Sequence, residues 1–115
     1  MTIQRLHVGK RLSEAAVYNN TIYLAGQVAE DNSQDITGQT KQVLAAVDKL
    51  LGEAGSDKTK LLQVTIFIAD MKDFPGMNAA WDEWVVQGST PPRATVEAKL
   101  AKPEWKVEML VVAGK

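Results

Sequence analysis

Leu62-Gln63-Val64-Thr65-Ile66-Phe67-Ile68-Ala69-Asp70 is the stretch that decides the fold. Val64, Ile66 and Ile68 alternate with Thr65, Phe67 and Ala69, the period of two that sends successive side chains to opposite faces of a strand. Both sets are apolar enough to be buried.

Upstream, residues 37–54 read as a helix. Val43, Leu44, Val47, Leu50 and Leu51 recur at the three-and-four spacing of one helical face, with Asp35 or Thr37 as the N-cap and Gly55 at the stop. Downstream, residues 74–87 read as a second helix capped by Asp73, with Pro75 tolerated in its first turn. Its apolar stripe is Met77, Ala80, Trp81, Trp84 and Val85. Residues 89–92 break that pattern, and strands follow at 94–100 and 106–112.

The first third is extended. Residues 3–8 alternate, 15–18 run into Asn19-Asn20, a pair suited to a hairpin turn, and 21–25 end at Gly26 before a polar loop over 30–35. The order β-β-β-α-β-α-β-β predicts an α+β domain, a mixed β-sheet with two helices packed on one face. Val107, Met109 and Val111 alternate with Glu108, Leu110 and Val112, so the last strand is apolar on nearly both sides. Helices can cover only one side, and this predicts a homo-oligomer in which other copies cover the second.

The chain has 115 residues, of which 45% are hydrophobic and 23% charged, ordinary values for one globular domain spanning residues 1–115. It has no cysteine, which excludes disulfides, a thiolate nucleophile and thiolate zinc sites; its single histidine, His7, excludes an imidazole cluster. Thirteen basic and fourteen acidic residues leave a net charge of -1, which gives no broad footprint for nucleic acid. The polar start and the short apolar runs fit neither a signal peptide nor a membrane span, so a cytoplasmic location is expected.

His7 reads as a surface residue of an early strand. Trp81, Trp84 and Trp105 read as packing, and Gly52, Gly55 and Gly76 as helix-end glycines outside any phosphate-cradling pattern. What remains for chemistry is Pro91-Pro92-Arg93-Ala94-Thr95-Val96-Glu97, then Val107-Glu108-Met109. Two prolines restrict the backbone entering Arg93, whose planar guanidinium suits a carboxylate held by two parallel hydrogen bonds. Glu108 is the carboxylate in a strand of Val, Met and Leu. The plain reading, a structural Arg93–Glu108 ion pair or a Glu108 at an exposed rim, and the functional reading weigh about equally on these grounds.

The stretch Pro92-Arg93-x-Thr95-Val96, with Val107-Glu108-Met109 following so that the glutamate comes fifteen residues after the arginine, resembles the signature of the Rid/YjgF family, formerly labelled L-PSP endoribonuclease. Leu24-Ala25-Gly26-Gln27, Val64 through Asp70 and Phe74-x-x-x-Asn78 extend the resemblance along nearly the whole chain, nearest to the short YoaB-like branch. The resemblance implies a chorismate-mutase-like subunit, a homotrimeric barrel with sites between neighbours, and no metal or organic cofactor. It also implies hydrolysis of enamine and imine acids, such as 2-aminoacrylate and 2-iminobutanoate, to 2-keto acids and ammonia.

On this reading Arg93 clamps the substrate carboxylate, and Glu108 and Thr95 act on the attacking water. Gly26 and Ala25 line the substrate, with Gly26 permitting close backbone approach. Three positions depart from the family pattern: Ala25 stands for a common serine, Leu12 for a pocket tyrosine and Thr95 for a frequent cysteine. The alternatives are a trimer that binds small carboxylates or regulates with little turnover, and an endoribonuclease. The latter is disfavoured by the lone histidine and the charge balance.

Overall fold

The computed structural model describes residues 2–115; Met1, the first residue of the polar start, lies outside the described residues. The strands are β1 (Gln4–Val8), β2 (Ser13–Tyr18), β3 (Thr21–Leu24), β4 (Gln27–Val28), β5 (Leu61–Ile68), β6 (Arg93–Glu97) and β7 (Val107–Gly114). The helices are α1 (Ile36–Glu53) and α2 (Phe74–Trp84). They form one sheet in the order β1-β2-β3-β7-β5-β6, with β4 also paired to β7. Only β5 and β6 run parallel, joined through α2; the other pairs are antiparallel. The mixed α+β architecture is the one the sequence predicts.

The local signals explain the elements. Asn19 and Asn20 take positive φ values of 52° and 60°, the double left-handed turn that hairpins β2 to β3. Asp35 caps α1 by accepting from the Gly38 N–H at 2.8 Å. At the other end Gly55 (φ +84°) turns the chain, with Ser56 N–H donating to Leu51 O and Gly55 N–H to Gly52 O. This doubly bonded left-handed stop satisfies carbonyls the helix leaves free.

All five residues of the α1 stripe are buried, packing with Ile22, Leu24, Val64, Ile66, Ile68, Val107, Met109 and Val111 into one core. Gln39 is buried with them and fully bonded. Its Nε2 lies near the carbonyls of Asn32, Gln34 and Glu104, and its Oε1 accepts from the Lys106 N–H. The two helices approach closely because position 76 has no side chain: a Cβ there would lie 2.6 Å from Ile36 Cγ2.

Several boundaries differ from expectation. α2 ends at Trp84 rather than 87, where Val85 turns extended (ψ 142°) while its side chain still reaches the core. Asp73 makes no side-chain cap bond to α2. β6 covers Arg93–Glu97 rather than 94–100, because only this span pairs with β5. The short strand β4 and the 3-10 turns Lys58–Lys60 and Met71–Asp73 carry too little periodic sequence to announce themselves.

The helices cover one face of the sheet. On the other face Tyr23 is 50%, Leu110 42% and Val96 45% exposed, with Phe67 and Val112 half-buried beside them. The chain is a slab of 43 × 37 × 20 Å exposing 6686 Å². A monomer of this mass exposes about 6,200 Å². The excess is modest, and an apolar sheet face is part of it.

Candidate functional site

Register fixes where each candidate side chain lies. Arg93 is opposite Val64 and Thr95 opposite Ile66, so both share the helix-covered face of edge strand β6. Glu108 is opposite Phe67, three residues along β5 from Val64, and therefore lies on the open face. The two backbones are separated by roughly 10 Å along β5 and two strand spacings, roughly 10 Å, across it. The ion pairs among the described residues are His7–Glu53, Lys41–Glu83 and Lys72–Asp70. An Arg93–Glu108 ion pair within one chain is therefore ruled out, because the pleat sends the two side chains to opposite faces.

The chain enters β6 through buried Pro91 and exposed Pro92, whose carbonyl accepts from the Val64 N–H at 3.1 Å. Arg93 then lies against α2. Its guanidinium carbon is 5.0 Å from the centre of the Trp81 ring and 6.0 Å from that of Phe74. Burial pulls the Arg93 pKa below its ordinary value, and the Asp82 charge opposes the shift; a guanidinium stays charged at neutral pH regardless. No carboxylate or carbonyl among the described residues accepts from it. On the same face the Thr95 hydroxyl is sealed from solvent and has no hydrogen-bond partner there either.

Glu108 lies where β3 gives way to β4. Tyr23 is opposite Val112 and Gln27 opposite Met109, so the chain carries one residue more than β7 between them and bulges at Leu24-Ala25-Gly26. A Cβ on Gly26 would overlap a Glu108 carboxylate oxygen and lie 2.9 Å from its carboxyl carbon. The glycine thus makes room for the half-buried Glu108 side chain itself. The Gln27 amide steadies the bulge, donating to Glu14 Oε2 at 2.9 Å and to the Ala25 carbonyl at 3.0 Å.

The predicted residues therefore form two half-sites, Arg93 with Thr95 and Gly26 with Glu108, on opposite faces. Ala25 lies in the bulge of the second, and Leu12 is 53% exposed in the β1–β2 turn. His7 is a surface residue; its ring nitrogen meets the Glu53 carboxylate, and its φ is positive. A hollow of about 560 Å³ lies beyond the far end of β6, lined in part by Glu97, Lys99, Lys102 and Trp105. It contains neither half-site. The sequence reading missed the support that Trp81 and Phe74 give Arg93. Their seven-residue spacing, two turns of one helix face, is the signal that could have found it.

An α+β slab with this edge-strand arginine and bulge-cradled glutamate defines a class, and comparison with known proteins gives it a family. Residues 2–115 match the family described as Endoribonuclease L-PSP, so the chain belongs to the Rid/YjgF family. It is 54% identical over 114 residues to a RutC family protein of Haemophilus influenzae, covering 98% of each chain. To the RutC family protein YoaB of Escherichia coli it is 46% identical, covering 99% of each. A crystal structure of a YjgF-family member from Neisseria meningitidis superposes with a TM-score of 0.97 at 45% identity, covering 100% of this chain and 96% of that one.

Proposed function

We propose that the chain is a hydrolytic deaminase of reactive enamine and imine acids, of the 2-aminoacrylate and 2-iminobutanoate type, acting as a homotrimer whose sites form between neighbouring copies. The observation that carries this reading is Arg93, a partly desolvated guanidinium with no acceptor among the described residues of its own chain. A buried cation normally finds a partner. A carboxylate-bearing ligand supplies one, by two parallel charge-assisted hydrogen bonds.

Apposition of the open, apolar face of one copy to the β6 edge of the next would bring one copy's Glu108 and Gly26 to its neighbour's Arg93 and Thr95. Arg93 then holds the substrate carboxylate. Glu108 takes a proton from water as the oxygen adds to the carbon of the protonated imine and the C=N electron pair moves to nitrogen, giving a neutral carbinolamine. It returns that proton to nitrogen; as the C–N bond breaks and ammonia leaves, the carbinolamine hydroxyl gives its proton to Glu108 and becomes the carbonyl of the 2-keto acid. The imine is already electrophilic, so positioning and one proton relay suffice, with no cofactor required by the chemistry. Thr95 reaches the same water by turning its hydroxyl, which has no other bond among the described residues, out of the position where its own chain seals it. Ala25 and Gly26 border the substrate.

The test is the decay of 2-aminoacrylate generated in situ, followed with wild type and Arg93→Ala. Acceleration by wild type and its loss in the variant support the reading; a wild-type rate equal to buffer overturns it for this substrate.

A second reading, a trimer that binds small carboxylates or regulates with little turnover, is favoured by Leu12 and Ala25, which bring no polar group to the bulge. It predicts 2-keto acid binding without turnover. RNA cleavage has less support: the one histidine is engaged with the Glu53 carboxylate and belongs to neither half-site.

A further inference from the structure

We propose that Trp81, supported by Phe74, is a positioning residue that aims the Arg93 guanidinium at the ligand carboxylate while leaving its N–H donors free. The inference rests on the carboxylate-binding reading above. A half-buried guanidinium must be held against something. A carboxylate neighbour would hold it by accepting the same N–H bonds that the ligand needs, and would compete with it. An aromatic face attracts the charge through its quadrupole within about 6 Å and accepts none of those bonds in the same way. Trp81 and Phe74 meet that distance at 5.0 and 6.0 Å.

The shelf is itself fixed. Trp81 is 6% exposed and packs on Trp84 with ring centres 5.5 Å apart at 50°. Trp84 Nε1 donates to Asp48 on α1 at 2.9 Å, and Lys58 Nζ donates to the Trp84 carbonyl at 2.8 Å while lying 5.1 Å from its ring centre. A continuous set of contacts therefore runs from α1 through two indoles to the arginine. Asp82, next in sequence to Trp81, adds charge attraction with no hydrogen bond to Arg93.

The experiment uses the intact protein, Trp81→Leu and Trp81→Phe, each checked by thermal melt. Two quantities are read: the dissociation constant for 2-ketobutyrate, and the ¹H–¹⁵N resonance of the Arg93 Nε–H, which the indole ring current displaces. Loss of the π-face in Trp81→Leu is expected to weaken 2-ketobutyrate about five- to thirtyfold and to move the Arg93 resonance towards its solvent position. Trp81→Phe, which guards against a Leu variant that fails to fold, keeps affinity within about threefold and moves the resonance part of the way. A folded Trp81→Phe with an unmoved Arg93 resonance, or a folded Trp81→Leu that binds like wild type, overturns the positioning role alone. A wild type that does not bind 2-ketobutyrate overturns this role together with the reading beneath it.

Discussion

Arg93 and Glu108 belong to one sheet but face opposite ways, because Arg93 is in register with Val64 and Glu108 with Phe67. A chain alone therefore holds each half-site without its complement. Among the described residues Arg93 forms no ion pair, and the face bearing Glu108 is apolar around it. The consequences are measurable.

Arg93→Met should separate activity from stability. The guanidinium is desolvated without a bonded partner, so its removal is expected to leave the unfolding free energy within about 1 kcal/mol of wild type. Loss of a two-bond carboxylate clamp should lower kcat/KM about a hundredfold or more. Urea unfolding beside the 2-aminoacrylate assay checks both.

Gly26→Ala should behave like Glu108→Ala. The added methyl needs the space of the Glu108 carboxylate, so the carboxylate must swing away. Deaminase activity is expected to fall to the Glu108→Ala level while the circular dichroism spectrum stays native.

Gln39→Leu should destabilise the chain by about 1–3 kcal/mol, since the Lys106 N–H and the carbonyls that Gln39 meets would be left buried without a partner. A shift in the urea midpoint at unchanged slope measures it.

Acid should weaken the fold through its turn aspartates. The Thr59 hydroxyl and then the Thr59 N–H lower the Asp57 pKa, the Ser33 hydroxyl lowers that of Asp31, and the Lys72 N–H lowers that of Asp70. A carboxylate depressed on folding stabilises the native state above its unfolded pKa, about 3.9, and loses that contribution as pH falls through the lower folded value. The urea midpoint should hold from neutrality to about pH 5 and decline below about pH 4. Asp57→Asn should flatten that decline slightly, because the group is exposed.

Much of this was legible in the residues. The period-two run Val64–Ile68, the α1 stripe from Val43 to Leu51 and the Asn19-Asn20 turn each have a local cause, and each appears where local rules place it. The end of α2 was not legible, because Val85 stays in the core while its backbone leaves the helix, and side-chain periodicity does not register that change. Arg93, entered by two prolines, and Glu108, a carboxylate in an apolar strand, stand out by residue chemistry, and the family resemblance is what pairs them. Their placement on opposite faces depends on the register of β5 with β6 and β7, which pairs segments distant in sequence. Trp81 packs, as its place in the apolar stripe predicts; that it also meets Arg93 requires the β5-α2-β6 connection to fold the helix over the edge strand.

The most direct test of an intersubunit site is complementation. Arg93→Ala and Glu108→Ala chains, each inactive alone, are unfolded together and refolded as a mixture. If every site takes Arg93 from one copy and Glu108 from its neighbour, random mixing in equal amounts restores both groups in about a quarter of sites, and deaminase activity returns to about that fraction of wild type. A mixture no more active than either variant alone would contradict the account.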